Sequence, residues 1–327
     1  MDSHVPEYQD IASQLASMSL EQGGYAISNG LIPDEELIEA VAKTGYLGLF
    51  SRTILLPDYR TVVKQGTADL LTEAQTMEYV RRYTSIPVPK VYEVRGSGND
   101  AQILMEYVEG FSLFDAWHLF SDGQKDSVVA QLRGYFKELA SITSPVASAI
   151  DGSPVKDEFF DFAPNKVCSD ESEFNEELLK AWYQNSIDWS ETEPQFPVLC
   201  NKLNETMRGN KFVLTHNNIH PRNILVRGSQ VVAIVDWAQA SFLPEYWEYC
   251  RPWTRCWDIC SVGESVFTKD RILDQILTPR KEEFEVFRFK FSKTQTKMYH
   301  NPDKQWRRWD SMASEPCNDE DMQMLMD

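Results

Sequence analysis

Short runs of apolar and β-branched residues, separated by turn residues, fill much of the first third of the chain and are typical of β-strands. The predicted strands are residues 51–56, 60–64, 91–94 and 102–107. Between the second and third runs, Glu73, Met77 and Val80 share one face at spacings of four and three, which predicts a helix over Leu70–Tyr83. Residues 45–108 are therefore predicted to form a small β-rich lobe with one internal helix.

The segment before this lobe, residues 1–44, holds two short amphipathic stretches separated by Gly23-Gly24 and Asn29-Gly30. The second stretch, Pro33–Lys43, opens with three acidic residues, which is typical of a helix N-terminus. The pattern predicts an N-terminal helical extension over residues 1–44.

Helical periodicity dominates after Glu109, with helices predicted at about 125–141 and 172–189 and mainly helical structure over 245–299. A strand–loop–strand block over 212–236 interrupts them. Residues 109–300 are thus predicted to form a larger, mainly helical lobe, and the acidic tail 301–327 is predicted to be disordered. The fold class is α+β, and the cleft between two such lobes is a natural ligand site.

Charge and composition exclude several classes of partner. The 327 residues include 50 Asp and Glu against 32 Lys and Arg, a net charge of −18, and 42% are hydrophobic. Such an acidic protein lacks the basic surface that a nucleic acid or an anionic membrane requires. The N-terminus has no pattern of a secretory signal and no apolar run is long enough to span a membrane, so a cytoplasmic location is expected.

The strongest chemical signal is the polar loop His216–Asn223 between apolar strands. The next two strands form a hairpin around Gly228-Ser229, which fixes the distance between Asn223 at its start and Asp236 at its end. An amide oxygen and a carboxylate held together suit Mg²⁺, a hard cation that prefers oxygen ligands. A nucleoside triphosphate would supply the remaining ligands.

A second signal lies in the first lobe. Lys64 follows two valines at the inner end of a predicted strand, and Glu73 lies on the inward face of the next helix. A lysine held by a glutamate is the device that positions nucleotide phosphates in kinases.

Several motifs together resemble the aminoglycoside phosphotransferase / choline kinase-like family, in the form abundant in filamentous fungi. The matching segments are the linker 85–91, the interlobe hinge 105–110, the catalytic loop 216–226, the metal-binding segment 234–237 and the following segment 244–249. The resemblance extends from about Tyr46 to about Leu277.

The resemblance implies a protein-kinase-like bilobal fold that uses ATP and Mg²⁺. It implies that Lys64 binds the α- and β-phosphates, that Glu73 orients Lys64, and that Asn223 and Asp236 hold Mg²⁺. The backbone groups implied at the adenine edge are those of Glu106, Tyr107 and Val108.

One position departs from the family pattern. Where the family reads His-Gly-Asp, with the aspartate accepting the proton of the substrate hydroxyl, this chain reads His216-Asn217-Asn218. An amide accepts a hydrogen bond but takes up no proton at neutral pH. Asn218 is the first candidate catalytic residue. His216 and Arg222 complete the set, with bracing of the loop as the alternative for His216 and a structural ion pair as the alternative for Arg222.

Two functions remain open on these residues. The first is an ATP-dependent phosphotransferase acting on the hydroxyl of a small molecule, slowed by the loss of the base. The second is a pseudokinase that binds Mg-nucleotide, or a partner, without efficient transfer. The acidic charge would favour a cationic acceptor.

Overall fold

A computed structural model describes residues 24–44, 47–48, 53–66, 69–97, 100–155, 157, 164, 166–184, 201, 203–254 and 271–286. The predicted acidic tail 301–327 and the first half of the predicted N-terminal extension lie outside these residues.

The first lobe is built on a six-stranded sheet. Its strands are β1 (Ala26–Ser28), β2 (Leu47–Gly48), β3 (Thr53–Leu55), β4 (Thr61–Gly66), β5 (Val91–Ser97) and β6 (Asp100–Glu106). They lie in the order β1-β5-β6-β4-β3-β2, with β1 parallel to β5 and the other neighbours antiparallel. The strands predicted from the sequence are confirmed as β3, β4, β5 and β6, with ends shifted by up to three residues.

Two helices cover opposite faces of this sheet, α1 (Asp34–Thr44) and α2 (Asp69–Tyr83). Successive side chains of a strand point to opposite faces. Val63 of β4 accordingly packs in one cluster with Leu37 of α1, whereas Val62 packs in the main core with Met77 of α2. Lys64 shares the face of Val62 and therefore points towards α2.

The described part of the predicted N-terminal extension belongs to this lobe and is not purely helical. β1 adds a parallel strand beside β5, with Ala26 opposite Glu93. The buried Gln102 side chain accepts a hydrogen bond from the Ile32 amide at 2.8 Å and donates one to the Ile32 carbonyl at 3.0 Å. A three-residue strand is too short to show a periodic pattern, so only its pairing with β5 reveals it.

The second lobe contains five labelled helices and seven short strands among the described residues, and residues 203–206 and 281–286 are also helical. The helices are α3 (Leu113–Ala116), α4 (Asp122–Leu139), α5 (Glu171–Gln184), α6 (Trp247–Thr254) and α7 (Ile272–Ile276). The strands are β7 (Phe111–Ser112), β8 (Thr143–Ser144), β9 (Ser148–Ala149), β10 (Phe212–Thr215), β11 (Ile224–Arg227), β12 (Gln230–Ile234) and β13 (Ser241–Pro244). They form a four-stranded sheet, β8-β10-β13-β9, and a three-stranded sheet, β12-β11-β7.

The helices predicted at about 125–141 and 172–189 are present with shifted ends, whereas residues 255–270 and 287–299 of the predicted helical region 245–299 lie outside the described part of the chain. α4 begins three residues before the predicted start, because Ser121 and Gln124 form a capping box that satisfies its first turn. The predicted helix 172–189 corresponds to α5, and its last five residues lie outside the described part of the chain.

Gly110 immediately precedes β7 and lies close to the backbone of β11, so a side chain there would be crowded. A Cβ atom there would lie 3.0 Å from the carbonyl oxygen of Val226 and 3.1 Å from Cγ2 of Val232. We expect Gly110→Ala to lower the free energy of unfolding by about 1–3 kcal/mol, because a backbone atom must move to admit the methyl group. Urea denaturation measures the change.

The matched control is Gly123→Ala, since nothing lies within 4 Å of a Cβ at Gly123, which is in α4. That substitution should leave stability unchanged or raise it slightly through helix propensity. Equal stability of the two variants would contradict the close approach at Gly110.

Candidate functional site

Lys64 lies at the centre of a buried cluster that joins the two lobes. Its Nζ is 2.8 Å from Oε1 of Glu73 on α2 and 2.7 Å from Oδ1 of Asp236, a residue 172 positions away along the chain. The Lys64–Glu73 pair that the sequence predicts is brought together, and the structure adds Asp236 to it. The side chains of Lys64 and Glu73 are almost fully buried, so water screens their ion pair little, whereas Asp236 is partly exposed.

The three charges shift one another's pKa values. Burial alone would lower the pKa of Lys64, but Glu73 and Asp236 outweigh it and hold that pKa above its ordinary range. Burial raises the pKa of Glu73, against the opposing pull of Lys64. One cation faces two carboxylates, so the cluster carries a net charge of −1 when all three are ionised.

Backbone hydrogen bonds close the loop that holds Asn223 and Asp236. The Val235 amide donates to the Asn223 carbonyl at 2.9 Å, which ties the end of the β11–β12 hairpin to its start. The Asn223 side-chain amide donates to the backbone oxygen of Asn218 at 2.9 Å. Asp236 has a φ of 69°, in the left-handed region that non-glycine residues seldom occupy, and this conformation aims its side chain back at Lys64.

Asn218 contacts this cluster directly. Its Nδ2 donates a hydrogen bond to Oδ2 of Asp236, and its backbone amide donates to Nδ1 of His216 at 3.2 Å. Its Oδ1 is buried and accepts no hydrogen bond from any residue that the structure describes. A buried acceptor without a partner is costly, which marks Oδ1 as a point for a ligand's donor.

His216 is buried and both of its ring nitrogens are engaged. Nδ1 accepts from the Asn218 amide, and Nε2 lies 3.1 Å from the Val235 carbonyl, which assigns the proton to Nε2. The ring also packs on Trp237, with centroids 4.5 Å apart. These contacts favour the bracing alternative for His216 over direct participation in proton transfer.

Arg222 lies over an aromatic ring. Its guanidinium carbon is 3.8 Å from the centroid of Phe114 on α3, a cation–π arrangement. Its backbone amide donates to Nδ1 of His220 at 3.2 Å. The sequence predicts a catalytic role or a structural ion pair for Arg222 and gives no signal for the contact with Phe114.

Glu248 on α6, which was not predicted from the sequence, holds the loop at His216 and Asn217. Its buried carboxylate accepts hydrogen bonds from the backbone amides of His216 and Asn217, the latter at 3.1 Å. Burial raises the pKa of Glu248 to about 7, although the two amide donors and Arg251 act in the opposite direction. A charged residue within the aromatic run 246–249 was the available sequence signal.

Asn217 is also held in place by a contact with α6. It has a φ of 58°, in the left-handed region that asparagine tolerates better than most other non-glycine residues. Its Oδ1 accepts from Nε1 of Trp247 at 2.8 Å, and its Nδ2 donates to the Gln239 carbonyl at 3.2 Å. The loop therefore keeps a fixed shape without a glycine at this position.

At the predicted hinge, two of the three backbone amides are already engaged. The Glu106 amide donates to the Lys90 carbonyl at 2.8 Å and the Tyr107 amide to the Arg60 carbonyl at 2.7 Å. The Val108 amide makes no hydrogen bond to a described residue, which leaves it to a ligand. An open cavity of about 530 Å³ adjoins this segment, lined by Tyr59, Glu106, Tyr107, Val108, Glu109 and Arg227.

The donor atoms fit Mg²⁺ in type. Asn223 uses its amide nitrogen on the loop, which leaves its side-chain oxygen for a cation, and Asp236 supplies carboxylate oxygens. Within the described residues there is no group of three His, Cys, Asp or Glu side chains that could hold a metal by themselves. A cation at Asn223 and Asp236 would thus depend on further oxygens from a nucleotide.

Of the helices that the structure describes, none has the length and apolar composition of a membrane-spanning segment.

Comparison with known proteins identifies the fold. A family model described as "Phosphotransferase enzyme family" matches residues 52–262. No curated protein sequence matches the chain.

Among solved structures, the chain is similar to a thermostable mutant of aminoglycoside phosphotransferase APH(4)-Ia in ternary complex with ADP and hygromycin B. The TM-score is 0.50 at 15% identity, over 85% of this chain and 97% of the other. It is also similar to aminoglycoside phosphotransferase APH(3'')-Id from Streptomyces rimosus in complex with ADP and streptomycin. Here the TM-score is 0.45 at 13% identity, over 79% of this chain and 97% of the other. The predicted α+β, kinase-like fold is confirmed.

Proposed function

Since this chain belongs to the phosphotransferase enzyme family, we propose that it transfers the terminal phosphoryl group of ATP to a hydroxyl of a small molecule. The observation that carries this proposal is the contact of the buried Lys64 with both Glu73 and Asp236, at 2.8 and 2.7 Å. A phosphoryl transferase needs a positioned cation such as Lys64, because its catalysis consists mainly of positioning the phosphates and neutralising their charge.

In the proposed site, Lys64 binds the α- and β-phosphates and Glu73 keeps it in place. Asn223 and Asp236 hold Mg²⁺, which when bound neutralises charge on the phosphates. The Val108 amide, which makes no hydrogen bond to a described residue, meets the adenine edge. The similar APH(4)-Ia structure was solved with ADP, which supports a nucleotide as the ligand.

In this proposal Asn218 binds the small molecule whose hydroxyl accepts the phosphoryl group. Its buried, unpartnered Oδ1 accepts a hydrogen bond from the acceptor hydroxyl and orients the oxygen for attack. Because an amide takes up no proton, Asn218 supplies orientation but not general-base catalysis. The net charge of −18 favours a cationic acceptor over an anionic one.

A pseudokinase is the second candidate, and the amide of Asn218 is the observation that favours it. General-base catalysis contributes about 10²–10⁴-fold to a rate. A protein that has lost its general base keeps every group that we propose for nucleotide binding, so it could bind nucleotide without efficient transfer.

Thermal unfolding with ATP and Mg²⁺ tests nucleotide binding before any acceptor is known. At a ligand concentration of 100 times Kd we expect the melting temperature to rise by about 5 °C, the effect of about 2.7 kcal/mol on a domain of this size. Lys64→Ala should abolish the rise, measured against the variant's own melting temperature.

ADP formation with a panel of hydroxylated small molecules and amines then separates the two candidates. Turnover above that of Lys64→Ala supports the transferase. A melting shift without turnover supports the pseudokinase, and the absence of both contradicts nucleotide binding altogether.

A further inference from the structure

Both carboxylate oxygens of Asp236 are already hydrogen-bonded within the protein. Oδ1 accepts from Nζ of Lys64 at 2.7 Å, and Oδ2 accepts from Nδ2 of Asn218. The backbone that carries Asp236 is held as well, since the preceding residue, Val235, is tied to Asn223. A cation can reach this carboxylate only in competition with these two donors.

A bound nucleotide would act differently on the two donors to Asp236, Lys64 and Asn218. The anionic phosphates of a bound nucleotide would attract Lys64, and we expect this attraction to release Oδ1. Asn218 is neutral and has no such attraction, so its amide stays on Oδ2. A hydrogen bond to an ionised carboxylate is among the stronger hydrogen bonds in proteins and reduces the charge that the carboxylate offers to a cation.

An aspartate in place of Asn218 could not make this contact. A carboxylate has no donor at neutral pH, and it would face Asp236 as a like charge. The contact with Asp236 therefore depends on the side-chain amide of Asn218, the residue at which this chain departs from the family pattern.

We infer that Asn218 competes with the divalent cation for Asp236 and thereby weakens the coupling between cation binding and nucleotide binding. This inference rests on the proposed function, because it concerns the same nucleotide site. Asn218 acts here as a positioning residue for Asp236, in addition to its proposed contact with the acceptor.

The test is the dissociation constant of a non-hydrolysable ATP analogue, measured by calorimetry in EDTA and in saturating Mg²⁺. The ratio of the two constants is the coupling factor between cation and nucleotide. Asn218→Ala removes the competing donor, and we expect it to raise this factor about tenfold, the value of a hydrogen bond to a charged group. Binding in EDTA should change by less than about twofold, which separates lost competition from general damage to the site.

Two further variants make the result decisive. Asn218→Asp keeps the side-chain shape, removes the donor and adds charge, so it should raise the coupling factor at least as much. Asn223→Ala removes a proposed cation ligand and should lower it. An unchanged factor in Asn218→Ala and Asn218→Asp, with the analogue still bound, overturns this inference alone. Failure of the wild-type protein to bind the analogue in either condition overturns the proposed function together with it.

Discussion

Replacing Asn218 by aspartate is expected to raise the rate of phosphoryl transfer by about 10²–10⁴-fold, the usual contribution of a general base. The new carboxylate would stand where Oδ1 of Asn218 is now buried without a partner, and it could accept the proton of the acceptor hydroxyl. Single-turnover measurements of ADP formation with an acceptor from the panel would give the ratio of rates. Asn218→Ala is the matched control and should stay as slow as the wild-type protein, or slower.

The same substitution should destabilise the protein in the absence of ligand. The aspartate loses the hydrogen bond to Asp236 and adds a second negative charge against it, in a cluster that already carries one negative charge in excess. We expect a loss of about 1–3 kcal/mol in the free energy of unfolding, which Mg²⁺ and nucleotide should restore. Equal turnover by wild-type protein and Asn218→Asp would show that no base is missing.

Glu248→Gln is expected to remove a strong pH dependence of stability. The pKa of Glu248 is raised from 4.5 to about 7 in the folded protein, so the folded state binds a proton that the unfolded state releases between these values. Stability therefore falls as pH rises through this window, by about 3 kcal/mol at 1.36 kcal/mol per pH unit. Above pH 7 both states are ionised and the contribution is constant.

Urea denaturation at intervals from pH 4.5 to 8 measures this effect. Glutamine does not titrate, so the difference between wild-type protein and Glu248→Gln should move by about 3 kcal/mol in favour of the variant across the window. Glu248→Asp keeps a titratable group and should retain a slope of the same sign. A Glu248→Gln profile parallel to that of the wild-type protein would assign the pH dependence to other groups.

Glu248→Gln should also loosen the loop at His216 and Asn217. The single side-chain oxygen of glutamine can replace only part of a carboxylate that accepts two backbone amides. Any transfer activity should fall more than nucleotide affinity does, because Lys64 and Val108 do not contact Glu248.

Local patterns in the sequence were sufficient for much of the fold and for one part of the site. The strands β3–β6 and the helix α2 follow from periodicity and turn residues that lie within each segment. The Lys64–Glu73 pair follows too, because a strand and the helix after it constrain two residues that are nine positions apart. The hairpin from Asn223 to Asp236 is equally local.

Only the tertiary structure decided how these parts meet. β1 is a strand because β5 lies beside it, not because three residues specify one. Asp236 reaches Lys64 across 172 positions of the chain, and Glu248 reaches the loop at His216 across 32. Such contacts form when separate segments pack into one core, and their energies depend on burial, which no local pattern encodes. The sequence by itself predicted the candidate groups for phosphate chemistry, namely Lys64, Glu73, Asn223 and Asp236. The packing decided that Asn218 and Lys64 share the carboxylate of Asp236.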